Sequence, residues 1–107
     1  MRVFENGPLP EDLEREVFVI EMIDAFALKR EPARLYCRWA ESNGVEIEGF
    51  ETWLLTDRGP SIVTGAVFDG PAAACAEAIT GYSARLGDQE NIFFVIFASA
   101  RQGAAGE

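Results

Sequence analysis

The run Asn91–Ile92–Phe93–Phe94–Val95–Ile96–Phe97 carries six apolar residues in seven. In a strand, successive side chains point to opposite faces. Phe93, Val95 and Phe97 therefore share one face, and Ile92, Phe94 and Ile96 the other. A strand in a two-layer domain alternates apolar with polar residues, because one face meets water. This run does not alternate, and Val17–Phe18–Val19–Ile20 repeats the pattern near the other end of the chain. Whatever fold the chain adopts must cover both faces of at least one strand.

The elements around the run are legible. Asp69–Gly70–Pro71 is a start signal for a helix over Pro71 to Leu86, with Gly87 placed as its C-terminal cap. Cys75, Ile79, Tyr82 and Leu86 recur along it at helical spacing. A second helix is predicted from Pro32 to Asn43, with Leu35 and Trp39, and Tyr36 and Ala40 beside them, as its buried side and Arg34, Arg38 and Glu41 opposite. Val45 to Leu55 reads as a strand interrupted by Gly49, which predicts a bulge or bend. Asp57–Arg58–Gly59–Pro60 predicts a hairpin turn, and Ser61 to Phe68 a strand rich in β-branched residues. Residues 11–30 fit either a helix or a strand. We read a short helical lead-in and then one strand from about Glu16 to Phe26.

That order is strand, helix, strand, strand, helix, strand. It predicts an α+β, two-layer ferredoxin-like (βαββαβ) sandwich with the first strand central and both helices on one face. The other face would then be covered by a second copy, making a homodimer, or by the N-terminal segment folded across it as a helix. With 107 residues the chain forms one domain, with a frayed tail from about residue 100.

Composition narrows function mainly by exclusion. There is no histidine, which removes Ser–His and Cys–His nucleophile systems and the commonest neutral-pH general base. The two cysteines, Cys37 and Cys75, are too few for a zinc site of the usual kind and read as small core hydrophobes. No metal or cofactor motif is present. The net charge of −9 disfavours nucleic acid and anionic membranes as direct partners, and permits a basic protein partner or mimicry of a nucleic acid's charge. No apolar stretch reaches membrane-spanning length and the N-terminus lacks a signal peptide's apolar core, so a cytoplasmic location is expected. Eight Arg to one Lys, with abundant Ala, fits a GC-rich bacterial or phage genome.

Several groups are candidate sites. Glu46, Glu48 and Glu51, beside Phe94 and Ile96, are the candidate partner-binding residues. Arg34 and Arg38, one helical turn apart, are a candidate anion clamp. Glu21 and Asp24 interrupt an apolar segment, and buried there they would serve as acid–base groups. The segment SNGVEIEGF, followed by the SIVTGAV strand, resembles ACT-type regulatory domains, which implies amino-acid binding near the first helix. The reading that follows is a small, acidic, non-enzymatic protein working by protein–protein contact, as a regulatory subunit, immunity protein or phage-type inhibitor. The alternative is a dimeric, barrel-like protein binding a small molecule through carboxylate and arginine chemistry.

Overall fold

The computed structural model describes residues 2–87 and 90–99; the expected frayed tail, from about residue 100, lies outside them. The fold is α+β. A short hairpin, β1 (Arg2–Phe4) and β2 (Gly7–Leu9), leads into a 3-10 segment over Glu11–Glu16. Then come β3 (Val17–Ile20), β4 (Ala25–Leu28), α1 (Arg30–Ser42), β5 (Glu46–Thr56), β6 (Gly59–Asp69), α2 (Ala72–Arg85) and β7 (Ile92–Ser99). β1 and β2 form their own antiparallel sheet, and the other five strands form a second in the order β3-β4-β7-β5-β6. Every neighbouring pair in it is antiparallel, so β4 and β5 run parallel to each other with β7 between them.

Two expectations change. The single strand from Glu16 to Phe26 is instead two strands folded on each other, with a 3-10 turn at Glu21–Ile23 and Asp24 in the left-handed region. Aspartate tolerates that conformation better than most residues, and the apolar Met22 and Ile23 disguise the turn. The central strand is therefore not the first one: β7, built from the quoted run, lies in the middle of the sheet. Nor does the N-terminal segment lie across the open face as a helix. Phe4, Leu9 and Leu13 add to the core on the helix side.

The helix-side core is made from the residues that strand alternation assigns to it. Ile92, Phe94 and Ile96 of β7 pack with Phe26 and Leu28 of β4, Phe50 of β5, and Tyr36, Cys37, Cys75 and Ile79 of the helices. Of the expected α1 stripe, Tyr36 and Ala40 are buried, joined by Ala33 and Cys37, while Leu35 is 49 % exposed. Small side chains at 33, 37 and 40 let α1 approach α2, which is why Leu35 is turned outward and Trp39 sits half-buried against Tyr36. Gly49 is required where expected. The register between β5 and β7 shifts at Ile47/Gly49, and a Cβ on Gly49 would lie 2.2 Å from the Phe68 carbonyl oxygen.

β4 and β7 are barely paired: Leu28 opposite Phe94 is their one register position. Further along, the side chain of Asn6 fills the gap. Its Nδ2 donates to the carbonyls of Phe26 (3.0 Å) and Ile96 (2.8 Å), and its Oδ1 accepts the Phe26 N–H (3.0 Å). Backbone donors and acceptors buried between the strands are thereby satisfied without a ladder. Gly7 follows with φ +133°, and a Cβ there would meet the Ala98 carbonyl oxygen at 2.8 Å. The Tyr36 hydroxyl, donating to the Pro8 carbonyl at 2.6 Å, ties the same hairpin to α1.

Candidate functional site

The helix-free face of the sheet is where a site is assembled. Its inner layer is small: Ala25 and Ala27 of β4 and Val95 of β7. Over and around these lie Phe18, Trp53, Leu55, Phe93 and Phe97, with the Phe18 and Phe93 rings 5.2 Å apart. Large aromatics lying beside small neighbours leave Val95 and Ala27 at 0 % exposure with no second layer above them. Much of the apolar face is thus covered by the chain itself. What remains open is a groove of about 480 Å³ lined by Glu5, Asn6, Ile23, Ala25, Glu51, Trp53, Ile62 and Phe97.

Three hairpins position these residues. The β1–β2 turn carries Glu5, whose N–H donates to the Asp24 carbonyl at 2.9 Å. That bond joins it to the β3–β4 turn, which carries Ile23. From the long β5–β6 hairpin come Glu51, Trp53 and Ile62, with Trp53 opposite Ile62 and Glu51 opposite Val67. Glu51 Oε1 accepts from Trp53 Nε1 at 3.1 Å, which fixes the indole along the groove. Ile62 and Val67 are 41 % and 48 % exposed on the outer strand of that hairpin.

The sequence-based candidates fall in different places. Glu46 and Glu48 are exposed on β5, and Glu51, half-buried, lines the groove. Phe94 and Ile96 do not reach any surface: both are 0 % exposed beneath the helices, because alternation along β7 turns them to the helix side. The residue of that strand available to a partner is Phe97. Arg34 pairs with Glu31 one turn earlier, at 3.4 Å, and Arg38 is exposed further along α1. Glu21 and Asp24 are exposed in the β3–β4 turn, so the burial on which an acid–base role for either depended is not met. Among the described residues no ion pair joins either arginine to either acid.

Cys37 and Cys75 are free and buried on the two helices. Burial, with the neighbouring Cys75 adding to it, pushes the Cys37 thiol up to about 12. Burial, assisted by Asp69, pushes the Cys75 thiol up to about 11. The start of α2 therefore does not make Cys75 a reactive thiolate; desolvation outweighs the helix dipole. Burial also raises the Tyr36 hydroxyl. Among the described residues no cluster of three or more acids and cysteines converges to hold a metal ion.

Glu5, Asn6, Ile23, Ala25, Ile62 and Phe97 are the groove residues that the sequence did not point to as a site. The exposed position of Ile62 in a strand was readable as a question, but its partners come from parts of the chain far from it in sequence. Comparison of the chain with protein-family models, with curated proteins and with solved structures returns no match. The ACT-type resemblance gains nothing from them. No helix among the described residues is long and apolar enough to cross a membrane.

Proposed function

We propose that this chain acts by protein–protein contact through the helix-free face of its sheet, as a regulatory subunit, immunity protein or inhibitor does. The observation that supports this is the groove on that face, with a held tryptophan and partly exposed Ile62 and Phe97 along it. Aromatic anchors in an open apolar depression are the usual centre of a protein interface. The architecture belongs to the same proposal: β4–α1–β5–β6–α2–β7 follows the ferredoxin-like succession along the chain, with the last strand in place of the first at the centre.

The sheet's edges serve this purpose less well than its face. β3, one edge, has four residues. β6, the other, leaves its register between Ile62 and Val67, where four residues stand against Thr52 alone. Short and bulged edges resist addition of a further strand. The small-molecule alternative has less support, because none of the four main cavities among the described residues is lined by Arg34, Arg38, Glu21 or Asp24.

The test is photo-crosslinking in the cells that make the protein, with a benzophenone side chain at position 62 or at position 38. A discrete adduct from position 62 and none from position 38 is the expected result. Equal labelling at both, or none at 62, would reject the reading.

A further inference from the structure

We infer that the groove on the helix-free face receives an apolar side chain from a basic polypeptide segment, whose Lys or Arg residues meet Glu5 and Glu51. This rests on the protein-contact reading above and adds the partner's chemistry to it. The floor and walls are apolar: Ile23, Ala25, Trp53, Ile62 and Phe97. Among the described residues the charged groups lining it are both carboxylates, Glu5 and Glu51, and no cation lines it. Further acids stand close by. Glu21 and Asp24 bracket the turn that carries Ile23, and Asp24 is hydrogen-bonded through its carbonyl to Glu5. On the β5 side, exposed Asp69 stands across from Gly49, which itself stands across from Phe97. An apolar slot rimmed by one sign of charge selects a ligand with the opposite sign beside an apolar group.

A second copy of the chain fits this surface poorly. A two-fold pairing of the same face sets the patch against a second copy of itself, so Glu5 and Glu51 would meet a surface that offers the same carboxylates and no lining cation among its described residues, between two molecules of charge −9. Like charges brought together across an interface oppose association. A basic partner turns the same carboxylates into attractive contacts, and its approach is steered by the net charge.

Three short peptides separate the terms: one of alternating lysine and leucine, one of glutamate and leucine, and one of lysine and serine. Binding is read from Trp53 fluorescence in a Trp39→Phe background, at low and high salt. The lysine–leucine peptide is expected to bind at least about tenfold more tightly than the other two, and to weaken as salt rises. Glu5→Gln with Glu51→Gln, which keeps an acceptor for the Trp53 indole, is expected to lose about tenfold, with an unchanged thermal melt. Equal binding of the lysine–leucine and glutamate–leucine peptides would overturn the inference. So would binding that the double variant leaves intact, or a dimer in light scattering that excludes the peptide. Crosslinking from position 62 alongside any of these would leave protein contact standing and remove only the basic partner.

Discussion

The two faces of the central sheet are built from one strand and solve the same problem differently. On the helix side, Phe94 and Ile96 of β7 disappear beneath α1 and α2 with Phe26, Phe50 and Tyr36. On the other side no layer arrives, and Phe18, Trp53, Phe93 and Phe97 cover Ala25, Ala27 and Val95 instead. The first solution uses a second layer of structure; the second uses contrast in side-chain size within one layer. A strand apolar on both faces is therefore not sufficient reason to invoke another subunit. What the second solution leaves behind is a seam, and here the seam is the groove.

This contrast is open to direct attack. The largest effect is expected on the helix side: Phe94→Ala should cost about 3–5 kcal/mol in urea unfolding, since the residue is wholly buried in a packed core. Phe97→Ala, half-buried on the other face, should cost roughly 1–2 kcal/mol. Equal losses would mean the two faces are equally packed. Between these two in size is Asn6→Ala. It removes three hydrogen bonds and strands buried backbone groups of Phe26 and Ile96, so about 2–4 kcal/mol is expected. Hydrogen exchange at the Phe26 amide should rise with it; an amide that stays protected would show that β4 and β7 close without Asn6.

The smallest effect is with pH and belongs to the helix side alone. Cys37 and Cys75 ionise less readily folded than unfolded, so their contribution is full below about pH 9. It is lost as pH rises through about 11 for Cys75 and about 12 for Cys37. Urea midpoints followed up to about pH 11 should fall, and fall less in Cys75→Ala. A parallel fall in both would place the titrating groups elsewhere.

How far the sequence foretells this depends on the range of the forces involved. Both helices, the β5–β6 hairpin and β7 are announced by local signals: Pro71 and Gly87, Gly49, Asp57–Gly59, and the unbroken apolar run. Residues 11–30 were not, because Met22 and Ile23 carry apolar periodicity straight through a turn that Asp24 makes with its backbone. The buried side of α1 is legible at Tyr36 and Ala40 but not at Leu35, because the small Ala33, Cys37 and Ala40 let the helices close and leave Leu35 outside. The groove was least legible of all. Glu51 was singled out, but Glu5, Ile62 and Phe97 meet it only through pairings that span most of the chain.

The position of β7 also bears on how the protein comes into being during translation. It joins β4 on one side to β5 on the other, yet it leaves the ribosome after both. The Asn6 side chain waits for Ile96, ninety residues downstream. Until β7 emerges, two half-sheets stand with open edges and their apolar faces wet. Such a nascent chain completes its fold in one late step rather than piece by piece.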